Sequence, residues 1–125
     1  MEWLEAPDIE KEIRHLVRSL KFDHIDSNSI HCVRSYGSTS RAIARIWSLP
    51  RIWRQVLNIN PQYVLEVVSQ YYDKQSDTDK RKTLIHELMH IPKNFSGALV
   101  PHRGIHKRID HKNVESFFKM YKMSE

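Results

Sequence analysis

The sequence predicts an α+β fold, and three patterns predict it. Amphipathic helix spacing recurs near both ends, in Ile9, Ile13, Leu16, Val17 and Leu20 and again in Val114, Phe117, Phe118 and Tyr121. Between them, Ile30 to Tyr36 alternates as a strand, and Tyr63 to Ser69 is rich in β-branched Val64, Val67 and Val68. A further helix, from Thr78 to His90, carries His86-Glu87-Leu88-Met89-His90.

The elements follow in order. Asp8 after Pro7 is placed to cap a first helix running to Leu20, with Glu10, Lys11, Glu12, Arg14 and Arg18 on its wet side. Such a helix most simply covers one face of a sheet, and His15 beside that face reads as structural or exposed. Asp23 to Ser29 is a polar connection. In Ile30 to Tyr36, Ile30, Cys32 and Arg34 share one side and His31, Val33 and Ser35 the other. Gly37-Ser38-Thr39-Ser40 is a turn, after which Ala42 to Leu49 reads as a second strand closing a hairpin, ahead of a helix start as the alternative. Pro50 to Leu57 reads as a short helix with Ile52, Trp53, Val56 and Leu57 on one side. Asn58 to Pro61 breaks the chain before the strand at Tyr63. Tyr63 to Val68, just ahead of the HELMH helix, could be a sheet edge open to an added strand, or that edge's neighbour. The last helix spans Asn113 to Met123, and its apolar stripe reads as packing.

With 125 residues the chain suits one domain, residues 1–125, with a modest core. A single cysteine, Cys32, excludes an intramolecular disulfide framework and fits a reducing compartment. Met1 to Glu5 shows no secretory pattern, and no apolar run reaches membrane-spanning length. The expectation is a cytoplasmic protein without a membrane partner. Twenty Lys and Arg against fifteen Asp and Glu give a net charge of +5. Lys93, Arg103, Lys107, Arg108 and Lys112, interleaved with His102, His106 and His111, form a basic region that reads first as a solvated loop and otherwise could meet nucleic acid or an anionic substrate.

The chemistry lies in HELMH. Two histidines four apart on a helix face the same way and can share one metal ion, while the glutamate between them can take a proton from water at that metal. This is the HExxH pattern of zinc hydrolases, most often metalloproteases, and it calls for one zinc per chain. Ser76-Asp77-Thr78-Asp79 supplies caps and early negative charge, and Pro92 ends the helix after His90. His86 and His90 are two ligands and Glu87 the general base. The third ligand is open: His102, after Pro101, ranks first, then His106, then Glu115 or His111. The metzincin spacing is excluded, since it needs Gly at 93 and His at 96 where this chain has Lys93 and Ser96. A second electrophile would come from His106, Arg103 or a tyrosine. Cys32 is a remote candidate for a thiol that blocks the metal.

Two rival readings carry other expectations. A non-catalytic zinc-stabilised module could bind nucleic acid through Lys93–Lys112, but a structural zinc has no use for Glu87. A histidine-rich RNA-processing nuclease would place Gly, not Glu, after the first histidine, and peptide deformylase would need a cysteine ligand that Cys32 does not convincingly supply.

The run from Ile85-His86-Glu87-Leu88-Met89-His90-Ile91-Pro92 through Phe95-Ser96-Gly97 to Pro101-His102 resembles the small predicted metallopeptidases of archaea and their viruses, which carry HELLHIP, an FSG-type segment and a later histidine. The likeness reaches upstream to Ala44-Arg45-Ile46-Trp47-Ser48-Leu49-Pro50 and Tyr63-Val64-Leu65-Glu66-Val67. It implies a minimal zincin, SprT-like in outline: a short twisted sheet packed with helices, HExxH on the active-site helix, His86, His90 and His102 as zinc ligands, Glu87 as base and a peptide or protein as substrate.

Overall fold

The computed structural model describes residues 1–102 and 109–125. Among them the chain forms a four-stranded mixed sheet and five helices. In chain order these are β1 (Glu2–Glu5), α1 (Pro7–Ser19), a single 3₁₀ turn (Ser27–Ser29), β2 (Ile30–Tyr36), β3 (Ala44–Ser48), α2 (Arg51–Leu57), β4 (Tyr63–Val68), α3 (Ser69–Tyr72), α4 (Asp77–Leu88) and α5 (His111–Ser124). The α+β expectation is borne out.

The sheet order is β1-β2-β4-β3. β4 runs parallel to β2 and antiparallel to β3, and β1 is antiparallel to β2. The expected hairpin between β2 and β3 is therefore corrected: both strands exist, but β4 lies between them. β4 wins the centre because Tyr63, Leu65, Glu66, Val67 and Val68 are all buried, and a strand covered on both faces belongs inside a sheet. β1 carries no sequence signal of its own. Its four residues are all exposed, and it exists by pairing Glu2–Glu5 with Val33–Tyr36.

Register partners share a face, so Tyr63, Leu65 and Val67 stand with Ile30 and Cys32. Against that face pack Ile9, Ile13 and Leu16 of α1 and Leu84, Ile85 and Leu88 of α4. α5 closes this layer with Val114 and Tyr121 buried and Phe117 and Phe118 half-buried, as its stripe predicts. Asp8 does not cap α1. The capping position is Ala6, Pro7 opens the helix, and Asp8 turns both carboxylate oxygens to Arg34, which also holds Asp73. The Arg34 fork outbids the local backbone because two charge-assisted bonds exceed one cap.

On the opposite face sits Glu66, its side chain fully buried. It accepts from Arg45 Nε at 2.8 Å and from Trp47 Nε1 at 2.9 Å, and the Arg45 guanidinium lies 5.0 Å over the Trp47 ring. One carboxylate of the central strand thus pins two side chains of β3. Burial raises the Glu66 carboxyl, but the bonds from Arg45 and Trp47 outweigh it and hold the group below its usual 4.5. Because the folded value is depressed, this contribution is complete above pH ~4.5 and fades as the pH falls further. Glu66→Gln should cost about 1–3 kcal/mol at neutral pH, read from the denaturant midpoint, and less in acid. A midpoint unchanged at pH 7 would remove the pin from the account of β3.

α2 reverses the usual polarity. Ile52, Trp53, Val56 and Leu57 share a side as expected, but all are more than half exposed, and Arg54 alone of the helix is partly covered. Among the described residues, no helix is long and apolar enough to cross a membrane.

Candidate metal centre

α4 starts where expected: Ser76 Oγ accepts from the Asp79 N–H at 3.1 Å, and Asp77 and Asp79 put negative charge in the first turn. Its end comes earlier than the motif suggests. The helix closes at Leu88, and His90 sits in the tightened turn beyond it, held by its N–H to Glu87 O at 3.1 Å and Ile91 N–H to Leu88 O at 3.1 Å. The imidazoles of His86 and His90 still meet, with ring centroids 5.2 Å apart.

From there the chain turns back over the helix. Val100 N–H donates to His90 O at 2.7 Å, and His90 Nδ1 lies 2.6 Å from Val100 O. A carbonyl only accepts, so Nδ1 carries the proton and Nε2 is left as the free lone pair, the tautomer a metal ligand needs. Two residues on, His102 enters. Its Nε2 is 3.1 Å from His86 Nε2, and its ring is 4.5 Å from that of His90. The ligand nitrogens of His86, His90 and His102 all lie within 4.8 Å of one another, a group that can hold a metal ion. The edge of a tetrahedral site with Zn–N bonds of 2.0–2.1 Å is about 3.3 Å, close to the His86–His102 separation.

The electrostatics suit ligation. Burial, then the neighbouring His90 and His102, pushes His86 down to about 4. Burial likewise lowers His90, against the opposing bond to Val100. Both are therefore neutral at pH 7, as nitrogen donors must be. Glu87 is buried, with its carboxylate 3.8 Å from His86 Nε2, and burial raises its carboxyl to about 8. All four residues line an open cleft of about 750 Å³. Ala44 and Ile46 of β3 form its other wall, while on the α4 side stands Lys82, which pairs with Glu115 at 2.7 Å.

Of the candidates for a third histidine or carboxylate, the structure brings His102 to the pair. Glu115 is spent on Lys82, and His111 is largely exposed at 3.8 Å from Glu115. His106 and Arg103 lie outside the described residues. No tyrosine lines the cleft among the described residues. Cys32 is buried on the core face, its thiol pushed up to about 12 by burial, and does not line the cleft.

Sequence reasoning missed the group that shapes the returning loop. Tyr63 Oη accepts from Gly97 N–H at 3.0 Å and donates to Ala98 O at 2.9 Å, so a buried strand residue fastens the segment that delivers Val100 and His102. A tyrosine in a β-rich run signals a strand and nothing more, so no pattern marks this role. Tyr63→Phe should cost about 1–3 kcal/mol by stranding two backbone groups. It should also weaken metal binding, measured by competition with a chromophoric chelator. Unchanged metal affinity would make the hydroxyl a fold contact only.

Three convergent imidazoles and a buried glutamate in a cleft, set against an α+β frame, are the outline of a metal-dependent peptidase. A family model described as "Putative phage metallopeptidase" matches residues 1–123, and the chain belongs to that family. Comparison with the curated proteins and with the solved structures finds no match.

Proposed function

We propose that the protein is a zinc-dependent peptidase formed as a single zincin-like domain over residues 1–125, with the SprT-like outline that the sequence resemblance implies. His86, His90 and His102 hold one zinc ion, and Glu87 is the general base. The observation that carries this reading is the arrival of His102 at the His86–His90 pair, with Glu87 in the same cleft.

A zinc ion bound there would supply Lewis acidity, lowering the pKa of water and polarising a carbonyl. The protein's own groups do the rest. A cation held by the three imidazoles would favour the ionised form of Glu87 against the burial that raises its carboxyl. Glu87 then takes a proton from the attacking water, the water oxygen bonds to the peptide carbon, and Glu87 delivers the proton to the amine as the C–N bond breaks. His90 is held in the ligating tautomer by Val100. The substrate is held as an added strand on β3. Leu49 N–H donates to Gln62 O and Val68 N–H to Ile43 O, so the odd-numbered residues bond to β4 and Ala44, Ile46 and Ser48 present theirs at the edge away from it. That edge borders the cleft, and Tyr63–Val68 is its neighbour rather than the edge itself. Nucleic-acid binding through Lys93–Lys112 gains no support from the fold or the family and is not part of this reading.

The test is cleavage of a mixture of unstructured peptides by the zinc-loaded protein, followed by mass spectrometry. Cutting should stop on chelation and return with zinc. A protein carrying one zinc per chain that leaves every peptide intact would overturn the peptidase reading.

A further inference from the structure

A second cavity, of about 530 Å³, opens beyond the end of β3, between α2 and the returning loop. Ser48, Arg51, Arg54, Ser96, Gly97 and Ala98 line it. Its two cations are unspent: among the described residues neither Arg51 nor Arg54 pairs with a carboxylate. Residues 41–62 contain four arginines and no acid, and of these Arg45 is taken by Glu66. Arg54 Nε is buried and finds no hydrogen-bond partner among the described residues.

Burying that donor without a partner costs stability, and the guanidinium's charge is left to be met through the rest of its fork, which lines the cavity. The surroundings hold it there. Gly97 has φ +92, and a Cβ at that position would stand 2.8 Å from Arg54 Cζ and 2.9 Å from Nε. Only a glycine lets the loop press this closely on the guanidinium. Tyr63 fastens the same loop through Gly97 and Ala98. The pocket is thus a shaped concavity with two guanidinium groups, two hydroxyls and no anion of its own.

We propose that this cavity is an anion subsite for an acidic side chain of the peptide substrate, on the N-terminal side of the scissile bond. The assignment rests on the peptidase reading above. A guanidinium fork matches a planar carboxylate and pairs with it by charge-assisted bonds. Position follows from the strand. The cleft is walled by residues 42–46, and the cavity begins at Ser48, about 7 Å further along an extended chain. Antiparallel pairing, the more stable of the two, runs the peptide's N-terminal half toward Ser48, so the pocket meets the side chain about two to four residues before the cut.

Two measurements on the 125-residue chain test this. The first needs no catalysis: N-acetyl-glutamate N-methylamide is titrated into zinc-free protein and followed by NMR. Saturable shifts of the Gly97 amide and the Arg54 Nε–H are expected, absent with the glutamine analogue and lost in Arg54→Gln. The second compares cleavage of matched peptides with Glu or Gln at each of the four positions before the cut. Wild type should favour Glu at one of them by about 10–100-fold in kcat/KM. Arg54→Gln, and independently the more exposed Arg51→Gln, should bring that ratio near one. Equal cleavage of Glu and Gln peptides by wild type would overturn the subsite and leave the peptidase standing. So would a ratio that survives both arginine variants. Shifts at Arg54 with no peptide cut would leave the anion pocket standing and overturn the peptidase.

Discussion

Replacing Glu87 by glutamine is expected to slow peptide hydrolysis about a thousand-fold or more while leaving the fold and the metal in place. Glutamine matches glutamate in shape and keeps one acceptor oxygen, so the packing of a buried residue is preserved. It cannot accept the proton that the attacking water must lose. Glu87 is 6 % exposed and its carboxyl is the group 3.8 Å from His86 Nε2, so bulk water has little access through which to substitute for it. The measurement is kcat/KM on a cleavable peptide, beside metal content and the thermal midpoint of the same preparation. Turnover retained within tenfold would sink Glu87 as the base. Turnover and metal lost together would make Glu87 a ligand rather than a base.

The second large effect concerns the three histidines. Zinc that binds only the folded chain should raise its stability by about 4 kcal/mol when present at a thousand times its dissociation constant. His86→Ala, His90→Ala and His102→Ala should each abolish most of that gain, because two imidazoles hold the ion far less well than three. The loss in affinity should exceed the roughly 10–100-fold typical of removing a supporting hydrogen bond. Glu115→Ala and His111→Ala should keep the full zinc-dependent shift, since Glu115 is bound to Lys82 and His111 is exposed. Thermal melts with and without zinc, checked by metal analysis after dialysis, separate these cases. A shift that persists in His102→Ala and vanishes in Glu115→Ala would transfer the third position to α5.

What the sequence disclosed follows the range of each interaction. HELMH was legible because helical spacing is local: four residues place two imidazoles on one side whatever surrounds them. The strands at Ile30 and Tyr63, and the stripe on α5, were legible for the same reason. Pairing was not. That β4 lies between β2 and β3 depends on which strand can be buried on both faces, a property of the assembled sheet rather than of any one segment. His102 could be ranked first among the later candidates but not fixed, because its arrival depends on a sixteen-residue excursion past His86 closed by Val100 and Tyr63. Asp8 failed as a cap because Arg34, distant in sequence, competes for it. The outward apolar side of α2 was visible as a stripe, but a stripe does not say which way it faces.

The insertion of β4 between two earlier strands also sets an order of assembly. Among the described residues β3 pairs only with β4, so residues 44–48 have no strand to join until the chain has been made as far as Val68. The wall of the cleft is, like β1, an edge strand bonded along one side alone, and edge strands are the first expected to come away. Its amide protons should exchange with solvent sooner than those of β2 and β4. The protein would then meet an incoming chain with a readily opened part of its own sheet.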